Sequence, residues 1–78
     1  MTKERSKFSA KICSRIKFER IKRNLSQEQL AETADLNRNT IGNIERGLAS
    51  PTVDTLEKLA EAFNMDILDL LDVSKFSL

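Results

Sequence analysis

Residues 27–46 read QEQLAETADLNRNTIGNIER, and the pattern of this stretch decides the fold. Ser26 stands just before it and Gln29 three residues after that serine, the spacing of a capping box. In such a box the serine oxygen accepts a backbone N–H while the glutamine side chain reaches back to the cap. A short helix therefore begins here. Leu30, Ala31 and Ala34 share one face of it, and two alanines there allow another helix to come close. Asp35, Leu36 and Asn37 then form a tight turn with one apolar residue inward, and Asn37 is a good N-cap for a helix from Arg38 to about Arg46. Ile41 and Ile44 are the aliphatic residues of that helix. They form its buried face and leave Arg38, Asn39, Asn43 and Arg46 outside.

Outward from this pair the chain reads as helices throughout. Two glycines and one proline interrupt its 78 residues, tyrosine and tryptophan are absent, and β-branched residues nowhere alternate with polar ones over a strand length. Before the pair, Phe8, Ile12 and Ile16, continued by Arg20 and Ile21, mark a basic helix with an apolar stripe ending near Arg23 or Asn24. Asn24 tolerates the left-handed conformation a helix end often needs, and Leu25 returns to the core. After the pair, Gly47 closes the third helix, and Ser50 with Pro51 makes a turn. Thr52 caps a fourth helix that points Val53, Leu56, Leu59, Ala60 and Phe63 inward, with Asn64 at its end. Asp66 caps a short fifth helix carrying Ile67, Leu68, Leu70 and Leu71. The fold class is all-α: a compact five-helix domain over residues 9–72, a basic arm over 1–8 and a tail over 73–78.

Composition limits the function classes. Hydrophobic residues make up 40% and charged residues 32%, the balance of a small globular domain. No apolar run approaches the roughly 20 residues of a membrane helix, and the basic start lacks the apolar stretch of a signal peptide, so a cytoplasmic location without membrane contact is expected. One cysteine, Cys13, excludes an internal disulfide, and the absence of histidine argues against a Cys/His zinc site; no metal and no cofactor are expected. No glycine-rich phosphate loop and no nucleophile with an evident base are present, which argues against an enzyme. Net charge is only +1, but residues 1–23 hold nine Lys or Arg against Glu4 and Glu19, a net of +7, and residues 51–78 hold two against six acids, a net of −4. Such polarity suits a chain with one face toward phosphates. Lys3, Arg5 and Lys7 read equally as a solvated tail or as an arm touching phosphate or the minor groove.

Two short helices joined by a tight turn, the second with an amide and guanidinium face, suit the major groove of duplex DNA. That groove is about 12 Å wide and admits one helix, and its base edges are read by side chains that donate and accept. The stretch Leu25 to Ala31 and the stretch Asn37 to Gly47 resemble the start of the motif and the recognition helix of the XRE, or Cro/C1-type, helix-turn-helix family, which includes lambdoid phage repressors and restriction-modification controller proteins. The resemblance covers about residues 11–71 and implies a lambda-repressor-like fold. It implies that Gln27 holds a phosphate and caps the start of the recognition helix, and that Asn37, Arg38, Asn39 and Asn43, with Thr40 in the same set, face bases or flanking phosphates. Arg46 would lie near the backbone. The same resemblance places Arg20 opposite Glu45 as a structural ion pair, since a glutamate facing phosphate would be repelled unless neutralised. Two departures stand out: Asp35 occupies a turn position usually held by glycine, and Gly42 interrupts the recognition helix, marking either a close backbone approach or a neutral exposed position.

These readings point to a sequence-specific double-stranded-DNA-binding transcriptional regulator of the repressor kind. It would act as a homodimer with two recognition helices in successive major grooves of a palindromic operator. Ile67, Leu68, Leu71, Phe76 and Leu78 offer more apolar surface than one small core absorbs and are assigned to the dimer contact. No small-molecule effector is expected. The alternative is a helix-turn-helix module that binds a protein partner, as an antitoxin or an antirepressor-binding protein does.

Overall fold

The computed structural model describes residues 7–74, which form five helices and, within that span, no strand: α1 (Lys7–Lys22), α2 (Gln27–Ala34), α3 (Arg38–Glu45), α4 (Val53–Ala62) and α5 (Ile67–Leu71). Each helix from α2 onward starts on a side chain able to accept a backbone N–H. Ser26 accepts from Gln29 in a complete capping box, Asn37 from Asn39, Thr52 from Thr55 and Asp66 from Leu68.

The stops are as uniform as the starts. Asn24, Asp35, Gly47 and Asn64 all take positive φ, between 57° and 74°. The residue after each donates its N–H back five residues: Leu25 to Arg20, Leu36 to Ala31, Leu48 to Asn43 and Met65 to Ala60, at 2.8 to 3.1 Å. This is the Schellman arrangement, and it turns the chain sharply while satisfying carbonyls the helix has left over. Three of the four apolar residues that follow the stops, Leu25, Leu36 and Met65, pack against the core; Leu48 stays in solvent.

One core serves all five helices. Ile12, Cys13 and Ile16 of α1, Leu30, Ala31 and Ala34 of α2, Ile41 and Ile44 of α3, Leu56, Leu59 and Ala60 of α4 and Leu70 of α5 are buried, with Phe63 and Val73 beside them. The alanines of α2 let it lie against both α3 and α4, while α1 packs on α3 and α5.

The structure corrects the sequence reading at several apolar positions. Ile21 is exposed because nine residues after Ile12 is about two and a half helical turns, which puts it on the opposite side of α1. The stripe runs instead through Ile12, Cys13, Ile16 and the buried Glu19. Phe8 and Val53 lie in the first turns of α1 and α4, beyond the reach of the core, and both are exposed. Lys7 and Phe8 are helical rather than part of an arm, and Val73, assigned to the tail, is buried. Lys3 and Arg5 of the arm, and Phe76 and Leu78 of the dimer set, lie outside the described residues.

Glu19 is buried because two arginines, one turn away on either side, neutralise it. Arg15 Nε donates to it at 2.8 Å, and Arg23 donates through Nη1. Burial disfavours the charge of Glu19, but the hydrogen bonds from Arg23 and Arg15 and the charges of Arg15 and Lys22 outweigh it and hold its pKa below the ordinary value. The same arginines clamp α1 to the far end of the chain. Arg15 Nη1 donates to the Asp72 carbonyl and Arg23 Nη2 to the Phe63 carbonyl, with the Arg23 guanidinium 4.9 Å from the centre of the Phe63 ring.

Candidate nucleic-acid interface

The geometry of α3 is fixed at both ends by side chains. At its start the Asn37 side chain accepts the Asn39 N–H at 2.7 Å, so the cap is Asn37 itself. The Gln27 side chain does not cap this start. It reaches the other end of α3, where its Nε2 donates to Glu45 Oε1 at 3.1 Å, because the first turn of α2 lies beside the last turn of α3.

Glu45 gathers three donors. Arg20 grips it with a two-pronged contact, Nε to Oε2 at 2.7 Å and Nη2 to Oε1 at 2.9 Å, and Gln27 adds the third. The Glu45 side chain is only 2% exposed and that of Arg20 13%. Arg20 Nη1 also donates to the Leu25 carbonyl at 2.7 Å, so one guanidinium holds α1, the turn before α2 and the end of α3 together. The bonds to Glu45 raise the Arg20 pKa above its ordinary value despite desolvation. A carboxylate thus satisfied can sit at the edge of a helix that meets anions without repelling them.

With α3 held in this way, its outer face is set. Arg38 and Asn39 are exposed, Thr40 and Asn43 half-buried, and Arg46 exposed at the C-cap. Arg46 folds back along the helix, its Nη2 donating to Asn43 Oδ1 at 2.8 Å. Gly42 is buried beneath it. A Cβ on Gly42 would come within 3.2 Å of Arg46 Nη1 and 3.7 Å of Gln27 Oε1, so the glycine is not a neutral exposed position, and what crowds it is side chains. Asp35 takes the left-handed conformation at φ 57°, which lets an aspartate occupy the turn between α2 and α3.

The structure therefore brings Gln27, Arg38, Asn39, Thr40, Asn43 and Arg46 to α3 and the adjoining start of α2, with Arg20 and Glu45 beneath. Of the dimer set, Leu68 is 72% exposed while Ile67 and Leu71 pack partly against the core. Phe8 and Leu71 line one groove with Val73. Two features were missed from the sequence although their spacing was visible: the Arg15, Glu19, Arg23 series at intervals of four, and the Asn43 to Arg46 contact at three. The contact of Gln27 with Glu45 had no local signal. Among the described residues no group of three or more Cys, Asp or Glu is placed to hold a metal, and no helix is long and apolar enough to cross a membrane.

Comparison with known proteins bears on this arrangement directly. Control protein C.BamHI of Bacillus amyloliquefaciens is 45% identical over 51 residues, covering 65% of this chain and 63% of that protein. The restriction-modification controller protein C.AhdI of Aeromonas hydrophila is 33% identical and superimposes with a TM-score of 0.74, over 78% of this chain and 92% of its own. SinR, the master regulator for biofilm formation, solved in complex with DNA, is 34% identical with a TM-score of 0.73, over 78% of this chain and 98% of its own. The chain spans 56–63% of the length of the three curated relatives it first matches. Residues 16–70, from the buried Ile16 to the buried Leu70, match the helix-turn-helix family HTH_3. The chain belongs to the helix-turn-helix family, of the XRE or Cro/C1 type, with α2 and α3 as its motif.

Proposed function

We propose that this chain is a sequence-specific double-stranded-DNA-binding transcriptional regulator that acts as a repressor, as a homodimer on a palindromic operator. The observation that carries the proposal is the outer face of α3: Arg38, Asn39, Thr40, Asn43 and Arg46 projecting from a helix locked from behind by Glu45, Arg20 and Gln27. Direct readout needs such rigidity, because a bidentate contact to a base edge tolerates little play. Arg38 and Asn39 enter the groove first, from the N-terminal turn of α3. Asn37, already engaged as the cap, keeps its NH2 for a flanking phosphate or base, and the Gln27 amide, with one hydrogen on Glu45, keeps another for phosphate. The solved SinR complex, which contains DNA and shares this fold at 34% identity, supports the reading.

The dimer contact is placed on α5, around the exposed Leu68, with Ile67 and Leu71 at its edge and Phe8 beside Leu71 as a further apolar contributor. Two linked half-sites multiply a discrimination that one small domain cannot reach alone. The reading includes a cytoplasmic location, no cofactor, no small-molecule effector and no catalysis. Selection of a randomised duplex library by the purified chain at about 150 mM salt tests it. A palindromic motif with half-site centres about ten base pairs apart is expected. Absence of any enriched sequence with the chain folded and helical would refute the reading and favour a partner-binding module. Specific binding should also weaken by orders of magnitude between about 50 and 200 mM salt, which partner binding through an apolar surface would not do.

A further inference from the structure

Arg46 sits over Gly42 with its guanidinium on the Asn43 amide oxygen. A guanidinium carries donors only, so the atom of the Asn43 amide that faces it is the oxygen, and the NH2 is the end left for a ligand. An asparagine takes adenine by accepting from the N6 amino group while donating to N7. Arg46 opposes that mode twice. Its bond takes one of the two lone pairs of the Asn43 oxygen, and its positive charge stands where the amino hydrogens of adenine would have to approach. What remains is a pair of adjacent groups that both donate: the Asn43 NH2 and the unused N–H groups of Arg46. Guanine presents two acceptors in the major groove, O6 and N7, and is the base edge that suits two donors.

We infer, resting on the DNA-binding reading above, that Arg46 is a specificity-determining residue that turns Asn43 from an adenine reader into its partner in a donor-only pair selecting guanine, and that Gly42 makes this possible. A side chain at this position would crowd the folded-back arginine. Any Cβ there would press on the far end of the Arg46 side chain at 3.2 Å, and the flexible arginine, not the helix, would give way. Helix propensity disfavours glycine at an internal position, so its presence in a helix of only eight residues calls for a reason, and the folded-back arginine supplies one.

The test compares the base preferences of the full chain with those of Asn43→Ala, Arg46→Met and Gly42→Ala, each selected on the same randomised duplex and checked for folding by thermal melting. The wild-type chain should prefer guanine at the base pair whose preference Asn43→Ala weakens most. Arg46→Met, which keeps the stem and removes the donors, should move that one base pair toward adenine by about tenfold, with the other positions keeping their ranking. Gly42→Ala, which keeps the Arg46 charge, should move the same base pair in the same direction. A purely structural role for Arg46 would weaken all sequences alike, and that outcome, with guanine still preferred, overturns the inference while leaving the DNA-binding reading intact. Adenine already preferred by the wild-type chain at that position overturns it equally. An unchanged profile in Gly42→Ala overturns the role given to the glycine. A wild-type chain that enriches no sequence overturns both readings.

Discussion

The two buried glutamates show how single residues organise this molecule. Glu45 lies 25 residues from Arg20 in sequence, and the pair joins the first helix to the end of the third. Removing one partner strands the other charge in a buried place, so Arg20→Ala should cost about 3 kcal/mol, read as a fall in the urea midpoint at unchanged slope. Arg20→Lys should recover little of this, because an ammonium cannot reproduce the two-pronged grip or the bond to the Leu25 carbonyl. Glu19 gives a pH dependence of definite sign. Its folded pKa lies below the ordinary value of 4.5, so its contribution to stability is complete above that value and disappears as pH falls through the folded pKa. Wild type should therefore lose stability in acid below about pH 4 more steeply than Glu19→Gln, as measured by urea unfolding across pH 2 to 7. At this scale legibility was uneven. The Arg20–Glu45 pairing had no local signature and entered only through likeness to a family, whereas the Arg15, Glu19, Arg23 spacing was plain in the sequence. It went unread because a charged residue between arginines on a basic helix suggests a solvated face, and only the end of α4 and the chain after α5, docking on those arginines, turn that face inward.

The helices were legible from their ends more than from their faces. Ser26 with Gln29, Asn37, Thr52 and Asp66 mark starts, and Asn24, Asp35, Gly47 and Asn64 mark stops, because capping bonds join residues no more than five apart and so leave their requirement in the local sequence. Faces failed at helix ends. Phe8 and Val53 have the composition of core residues, yet the first turn of a helix extends past its neighbours, and periodicity carries no information about where a neighbour stops. The stops themselves can be tested at Gly47, whose φ is 74° and whose missing Cβ would meet nothing within 4 Å. Gly47→Ala should destabilise by about 1–2 kcal/mol through backbone strain alone. In a domain of this size that is a fall in melting temperature of about 4–8 °C for each kcal/mol. The opposite sign is expected where the left-handed residue is already an asparagine: Asn24→Gly should leave stability unchanged or raise it.

For the whole molecule, charge and association are the properties that single elements do not decide. The nine Lys and Arg of residues 1–23 overstate what the chain offers to phosphate, since Arg15, Arg20 and Arg23 are held by Glu19 and Glu45. A phosphate-facing surface must then rely on α3, the start of α2 and the lysines of α1. If α5 forms the dimer contact, Leu68→Arg should yield a monomer in analytical ultracentrifugation with the melting of the monomer fold preserved, since this leucine is 72% exposed and leaves the core untouched. That assignment was only partly legible: the surplus of apolar residues after Asp66 was visible, but its division between core and surface depends on Leu70 pointing in and Leu68 out, little more than half a turn apart. The four left-handed stops have a consequence in time as well as in space. Each helix boundary is written into a handful of neighbouring residues, so where a helix can start and stop is decided locally even though α2 to α5 are too short to persist alone, and folding has only to dock short segments joined by brief turns. Topologies of this local kind cross their folding barrier in microseconds to milliseconds. A temperature-jump experiment on the purified chain would time that crossing, and relaxation much slower than milliseconds would count against it.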